Sequence, residues 1–330
     1  MKRVLKAALL ASATLLGSAQ SALALKVVMS NDNNAVGVKG QTFDLLAEEI
    51  RNRLPEARVI VHHSGSLFDQ KEQIQGLELG TVQLIAPTSG MYALNAPGVS
   101  ALTLPFLLRT PEQVQSALKD EVVRGAFVPD LRSRNIEPVA VWINGPRELC
   151  YRGSKPILTP ADMKRVKVRV QNVPSDIAAM KAAGGTAVAI SWSDVPVALQ
   201  QGIIDAVEPT PNALAGAGLI ESIDQMTKFG YQYSFYIVGA NKQWWEGMTT
   251  KEREAIQEAL DVATAWNLEN AAKENRDGYA AVAAAGKPVH ELTAEQRAAW
   301  VDAMKPVWTE FGDKVVGKDI MQRLKEIAAQ

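Results

Sequence analysis

The sequence predicts an α/β fold of two lobes with long helices at its C-terminal end, and three observations support this fold class. Short apolar strands alternate with helices through the first two thirds of the chain, a pattern typical of a mainly parallel sheet. The chain has 330 residues and is 47% hydrophobic, so it can form two domains that share a hinge. Two long helical patterns, each with its own N-terminal signal, complete the sequence.

The first predicted lobe begins with this strand–helix alternation. Its strands are expected at residues 25–29, 59–61, 82–86 and 139–143. In the first helix Phe43, Leu46 and Ile50 recur at helical spacing. Further on, Thr110 and Pro111 provide an N-cap and a first-turn proline for another helix. Binding loops are expected at the carboxyl ends of the parallel strands.

The chain is expected to cross to the second lobe at 144–147, where the sequence Asn-Gly-Pro-Arg should end the fourth strand. Strands of the second lobe are expected at 166–170, 187–190 and 203–208, and an apolar strand at 233–238 should return the chain to the first lobe. The resulting prediction assigns residues 25–144 and 235–274 to the first lobe and residues 145–234 and 275–330 to the second.

Two capping boxes begin the long C-terminal helices. Thr249 precedes Glu252 by three positions, and Thr293 precedes Gln296 in the same way. At this spacing each side chain can bond the backbone N–H of the other residue, which satisfies donors at the start of a helix. Apolar residues recur every three or four positions along both helices, a pattern that indicates packing faces.

The N-terminal residues have the three-part layout of a secretory signal peptide. Met1-Lys2-Arg3 is basic, residues 4–16 are apolar, and Ala22-Leu23-Ala24 fits a cleavage site with small residues. We therefore expect residues 1–24 to be a signal peptide and the mature chain to begin at Leu25. No later run of eighteen uncharged apolar residues follows, so no stable membrane insertion is expected.

Composition and motifs argue against several functions. The formal net charge is -1, so no electrostatic field attracts a nucleic acid. His62, His63 and His290 have no neighbouring cluster of metal ligands, and no metal site is expected. The single cysteine, Cys150, lies in an apolar strand pattern, which favours buried packing over catalysis. Nucleophile-elbow, phosphate-loop and zinc-protease motifs are absent from the sequence, and no cofactor is expected.

A valine-rich strand presents the main candidate for ligand binding. Val166, Val168 and Val170 alternate with Lys167 and Arg169, so one face of the strand should be buried and the other should present the two cations. A guanidinium held near the end of such a strand can bind a carboxylate through two parallel N–H···O bonds. The pattern alone favours an ordinary edge strand whose two basic residues face solvent.

Four segments carry a resemblance to a known family. They are Leu104-Pro-Phe106, Gly145-Pro-Arg147, Pro160 to Arg169, and Ala198-Leu-Gln-Gln-Gly202 with Asp205-Ala-Val-Glu208. Together they resemble the DctP-type solute-binding receptors of TRAP transporters, and the likeness extends over nearly the whole mature chain. Arg165 and Ala206 stand where that family has glycine, and Pro209 stands where many of its members have asparagine.

The resemblance implies a two-lobed periplasmic binding protein fold with hinge strands, which closes over an organic acid in the periplasm and delivers it to TRAP membrane subunits. Arg169 would bind the carboxylate at two points, and Arg147 would provide a second positive charge. The remaining implied site residues are Asn172 and Trp192 on the same side of the cleft, Thr88, Ser89 and Asn31 on the other, and Glu208, which is expected to hydrogen-bond the hinge. The resemblance implies no enzymatic activity.

Two other functions are compatible with the sequence. An exported enzyme could act on an acidic sugar or a small acid with Asp205 or Glu208 as its acid–base group, although a nucleophile and base are not apparent. A sensor that presents its bound acid to a membrane kinase would use the same closed state as a transport receptor.

Overall fold

The computed structural model describes residues 24–330, so the predicted signal peptide, apart from its last residue, lies outside the described chain. The described residues form two sheets with helices around them, and the predicted α/β fold class is confirmed. The strands are β1 (Lys26–Ser30), β2 (Arg58–His62), β3 (Leu84–Ile85), β4 (Ile136–Pro146), β5 (Leu149–Tyr151), β6 (Lys167–Val170), β7 (Thr186–Ala189), β8 (Ala206–Val207), β9 (Gln225–Lys228), β10 (Tyr233–Asn241) and β11 (Val289–Glu291).

The helices occupy the connections between strands and the C-terminal region. The α-helices are α1 (Val38–Arg53), α2 (Glu72–Glu78), α3 (Pro111–Lys119), α4 (Glu121–Gly125), α5 (Val128–Ser133), α6 (Pro174–Ala182), α7 (Val195–Gln200), α8 (Pro211–Gly216), α9 (Lys242–Gly247), α10 (Thr250–Ala284), α11 (Ala294–Trp308) and α12 (Lys318–Ala328). Shorter 3-10 helices lie at Ser89–Leu94, Pro97–Thr103, Pro160–Met163, Trp192–Asp194 and Ile220–Ser222, and a π-helical turn lies at Thr309–Asp313. Within residues 24–330, no helix combines the length and apolar composition needed to cross a membrane.

Each lobe is organised around one sheet. The first sheet has the order β2-β1-β3-β10-β4, in which β1 pairs in parallel with β2 and β3, while β10 runs antiparallel. The second sheet has the order β11-β9-β5-β8-β6-β7. Phe43 of α1 packs edge-on against Trp142 of β4 at 5.0 Å between ring centroids, and both side chains are fully buried in the core of the first lobe. In the second lobe Cys150 is buried in β5, as predicted.

The antiparallel pair β4 and β10 connects the lobes. The predicted strand ended at residue 143, which was too early, because β4 continues to Pro146. Its register shifts opposite Ser234 and Phe235, so that Asn144 is an extra residue in β4. Gly145 follows with φ +147, and a Cβ at this position would lie 2.3 Å from the side-chain amide of Asn275. Glycine is therefore required where the strand passes between the lobes.

The 35-residue helix α10 lies against both lobes. On the first lobe, Asn267 accepts a hydrogen bond from the backbone N–H of Ile143 at 2.6 Å. On the second, Gly278 approaches α8 so closely that a Cβ would meet the backbone of Pro211 at 2.5 Å. The capping boxes predicted for α10 and α11 are both present, with Thr249–Glu252 and Thr293–Gln296 bonded as expected.

The last helix returns to the first lobe, which differs from the predicted assignment of residues 275–330. Arg323 of α12 forms a 2.7 Å ion pair with Asp120, beside α4, and Gln113 of α3 donates to the carbonyl of Ala328 at 2.8 Å. α11 remains with the second lobe through Trp300, whose indole N–H donates to the carbonyl of Leu158 at 2.9 Å. The C-terminal segment therefore packs on both lobes, a contact that local sequence patterns do not encode.

Candidate functional site

Two adjoining cavities lie between the lobes, beside the crossing strands. The inner cavity has a volume of about 40 Å³ and the outer one about 210 Å³. The two cavities share five of their lining residues: Asn33, Asn144, Trp192, Ala213 and Tyr236. Because these five residues line both cavities, the two cavities form one continuous site. The five residues come from both lobes.

Arg169 forms part of the wall of the inner cavity. It lies on β6, which pairs in parallel with β7 on one side and β8 on the other, so the edge-strand interpretation is wrong. Its side chain is buried, with 3% of the residue exposed, and its Nε donates to the carbonyl of Ile190 at 3.1 Å. Its Nη2 has no hydrogen-bond partner among the described residues. A buried donor of this kind is costly unless an acceptor completes it.

Burial lowers the pKa of Arg169 to about 10, because desolvation disfavours the charged form. The carboxylate of Glu208 opposes this shift, while the nearby Arg147 adds to it. The guanidinium nevertheless stays protonated at neutral pH. Its charge therefore favours an anion in the cavity.

Trp192 lies against this guanidinium and lines both cavities. The carbon at the centre of the Arg169 guanidinium lies 5.3 Å from the Trp192 ring centroid, within the range of a cation–π contact. Trp192 begins the 3-10 helix that follows β7, so the same strand pair positions both residues. The contact limits the guanidinium to one orientation.

Arg147 also lines the inner cavity, but its charge is already balanced. Its Nη1 donates to Asp176 at 2.9 Å and to Gln232 at 2.6 Å, and its Nε donates to the backbone carbonyl of Glu208 at 3.2 Å. Its Nη2 also forms an ion pair with the Glu208 carboxylate. Burial alone lowers the pKa of Arg147, but the Asp176 and Glu208 carboxylates outweigh it and the pKa is raised. Arg147 therefore stabilises the segment after β4, where the chain crosses between the lobes.

Glu208 follows β8 and completes this ion-pair group. Burial raises its pKa to about 7, in the same direction as the nearby Asp176 and against the lowering effect of Arg147 and Arg169. Its carboxylate forms an ion pair with Arg147, the residue after β4. The same carboxylate lines the inner cavity.

Thr88 connects the first lobe to a residue that the sequence analysis did not select. Its hydroxyl accepts a hydrogen bond from Nε2 of Gln171 at 2.9 Å, across the cleft. Gln171 follows Arg169 by two positions, so the two side chains share a strand face. This spacing of two positions could have indicated from the sequence that Gln171 faces the same side as Arg169. Ser89 lies beside Thr88, is buried, and lines a small extension of the cleft with Gln171.

Asn172 and Asn31 lie outside the two cavities. Asn172 lies on the opposite strand face from Arg169, because side chains alternate between the two faces. It is exposed beside Ile190 in a separate groove. Asn31 is fully buried, where its amide donates to the carbonyl of Asn33 at 2.9 Å and lies 3.0 Å from His63 Nδ1. It holds the loop whose Asn33 reaches both cavities.

The site as a whole is a closed cleft between two α/β lobes with a desolvated arginine in its wall, which defines a two-lobed ligand-binding protein. Residues 29–314 match the family described as "Bacterial extracellular solute-binding protein, family 7" (DctP), and the chain belongs to this family. The predicted protein class is therefore confirmed. This family provides the organic-acid receptors of TRAP transporters.

Individual relatives agree with this assignment. The chain is 28% identical to the C4-dicarboxylate-binding periplasmic protein DctP of Rhodobacter capsulatus, over 100% of this chain and 99% of that one. A TRAP periplasmic solute-binding protein from Shewanella oneidensis with bound succinate has the same fold, with a TM-score of 0.87, 24% identity, and coverage of 92% and 99%. The sugar acid binding protein DctPAm of Advenella mimigardefordensis, in complex with galactonate, is also similar, with a TM-score of 0.87, 18% identity, and coverage of 93% and 98%.

Proposed function

We propose that this chain is a periplasmic receptor that binds one organic acid between its lobes and delivers it to the membrane subunits of a TRAP transporter. The observation that carries the proposal is Arg169, a buried cation that lines the inner cavity and whose Nη2 has no acceptor in residues 24–330. A ligand carboxylate would supply that acceptor. An arginine–carboxylate hydrogen bond enclosed in this way contributes about 1.5–3 kcal/mol.

The lobes are proposed to close over the ligand by bending at the crossing strands. Two hydrogen bonds span the cleft in this closed form, from Gln171 to Thr88 and from the Asn34 amide to the carbonyl of Gly216 at 3.0 Å. A ligand that contacts both lobes stabilises the closed form more than the open one, and this difference in affinity shifts the population. The closed surface would then be what the membrane subunits recognise.

The proposal also states that the bound acid leaves unchanged. An enzymatic function would require Asp205 or Glu208 as its acid–base group. Asp205 pairs with Lys167 and lines neither cavity, and the Glu208 carboxylate pairs with Arg147. A sensor for a membrane kinase would share this site, and only its membrane partner would differ.

The test is calorimetric titration of ligand-free protein with a panel of organic acids, followed by mass spectrometry of the recovered acid. We expect one acid to bind per chain and to be recovered intact. The Arg169→Ala variant should lose affinity for it by about 30-fold or more, as expected when one partner of a buried charge pair is removed. Wild-type affinity in this variant, or a chemically altered acid, would refute the proposal.

A further inference from the structure

The outer cavity has a charge distribution that bears on the class of acid, given the proposed function. Its cation, Lys39 at the start of α1, is paired with Asp32. The two side chains are almost fully buried, with 3% and 5% exposed, and the Lys39 ammonium lies 4.5 Å from the ring centroid of Tyr236. The Lys39 charge is therefore already neutralised within the protein.

A second carboxylate lies in the same wall. Glu274 of α10 accepts hydrogen bonds from the backbone N–H of Val38 at 3.1 and 3.3 Å, at the N-terminal end of α1. The amide of Asn212 donates to the same carboxylate at 3.0 Å. These donors fix the Glu274 carboxylate in the wall, at the N-terminal end of α1 and in the same cavity as Asp32. The outer cavity thus has two carboxylates and one ammonium in its wall, and a net negative charge.

The remaining polar groups of the outer cavity are neutral. They are the amides of Asn33, Asn34, Asn144 and Asn212, the hydroxyls of Ser64, Ser193 and Tyr236, and the indole N–H of Trp192. Amides and hydroxyls both donate and accept hydrogen bonds, so they suit the hydroxyl groups of a ligand. A second ligand carboxylate would instead meet Asp32 and Glu274.

We propose that the ligand is a polyhydroxylated monocarboxylic acid, an aldonic or uronic acid, and not a dicarboxylic acid. Its carboxylate binds Arg169 in the inner cavity, and its hydroxylated carbons extend into the outer one. The volumes of about 40 and 210 Å³ fit a small charged end and a larger neutral body. Like charges brought together in a buried site cost enough to lower affinity by about 100-fold.

Calorimetry with gluconate, galactonate and glucuronate on one side, and succinate and malate on the other, tests this inference. We expect at least one sugar acid to bind about 100-fold more tightly than either dicarboxylate. Succinate or malate binding as tightly, with loss in Arg169→Ala, would overturn this inference and leave the proposed function intact. Tight binding that is insensitive to Arg169→Ala would instead refute the proposed function.

The variant Asp32→Asn makes the test independent of the panel. It removes the carboxylate that neutralises Lys39, so the Lys39 ammonium becomes available to a ligand carboxylate in the cavity. Malate affinity should therefore rise about tenfold or more while sugar-acid affinity falls. Asp44→Asn is the matched control, because Asp44 lies on α1, as Lys39 does, but pairs with His63 at 3.0 Å and does not line the cavity. It should change neither affinity.

A further variant covers the case in which Asp32→Asn does not fold. Glu274→Gln removes the other negative charge and keeps an oxygen that can accept from Val38. It should raise malate affinity in the same direction. Unchanged malate affinity in a folded Glu274→Gln protein, or in folded Asp32→Asn, would contradict the inference.

Discussion

Arg147 and Arg169 are both buried beside the inner cavity, yet their surroundings differ completely. Arg147 donates to Asp176, Gln232 and the Glu208 carbonyl and is paired with two carboxylates. Arg169 donates from Nε to one carbonyl, and its Nη2 has no partner in the described chain. The comparison teaches that burial and residue type do not identify a ligand-binding arginine. What distinguishes Arg169 is that no carboxylate within residues 24–330 forms an ion pair with it, whereas Arg147 is paired with two.

Replacing Arg147 and replacing Arg169 should affect stability very differently, and this difference is the largest effect that we expect. Arg147→Ala leaves Asp176 and Glu208 buried without their cation, which should cost about 3–5 kcal/mol of the free energy of unfolding. Arg169→Ala removes a desolvated cation, so the unfolding free energy of the ligand-free protein should fall by no more than about 1 kcal/mol, or rise. Urea denaturation of both variants measures the difference.

The control for these two variants is Arg132→Ala. Arg132 forms an exposed ion pair with Glu137 at 2.7 Å, and the loss of such a pair costs about 1 kcal/mol or less. If Arg169→Ala destabilised the protein as much as Arg147→Ala, the distinction between the two arginines would fail.

Arg169→Lys sharpens the comparison on the binding side. Lysine retains the positive charge but cannot present the planar fork of donors or stack on Trp192 in the same way. We expect affinity for the acid to fall by about 10- to 100-fold, as measured by calorimetry, with the fold unchanged by circular dichroism. Full affinity in this variant would show that charge alone, without guanidinium geometry, accounts for binding.

Two adjacent residues provide a finer test of which strand face meets the ligand. Gln171→Ala removes the hydrogen bond to Thr88 across the cleft, so the closed form should lose about 1 kcal/mol and affinity should fall about fivefold. Asn172→Ala, on the opposite face, should leave affinity unchanged. The reverse result would restore Asn172 as the site residue.

The smallest effect concerns the pH dependence of stability. The pKa of Glu208 is raised to about 7 in the folded protein, above its ordinary value of 4.5. The stabilisation linked to its bound proton is therefore fully present below about 4.5 and is lost as pH rises through about 7. Glu208→Gln should flatten the decline of unfolding free energy between pH 5 and 8, measured by denaturation at each pH. An unchanged slope would show that Glu208 is ionised across this range.

Periodicity predicted much of the fold. The alternation Val168, Arg169, Val170 gave β6 its correct faces, and the capping boxes gave the starts of α10 and α11. Strands β9 and β11 were not predicted, because they have only four and three residues and pair only once the chain has folded. The position of α12 likewise depends on a distant contact, between Arg323 and Asp120.

The site was predictable only in part for the same physical reason. The strand pattern placed Arg169 on β6, but the family resemblance was needed to select it, because the pattern alone favoured an edge strand. Gln171 lies two positions further on the same strand face and was not selected. Lys39 and Asp32 are seven positions apart on a loop and a helix end, and no local pattern connects them with Arg169. Arg147 is neutralised and Arg169 is not, because Asp176 and Glu208 form ion pairs with Arg147 alone.

The central claim, that Arg169 binds the ligand carboxylate directly, is tested most directly by a double-mutant cycle. Calorimetry would compare the best acid of the panel with its primary amide, in wild type and in Arg169→Ala. The account predicts that amidation weakens binding to wild type by about 30-fold or more and has little further effect in the variant, because both changes remove one interaction. Equal losses on amidation in the two proteins would contradict it.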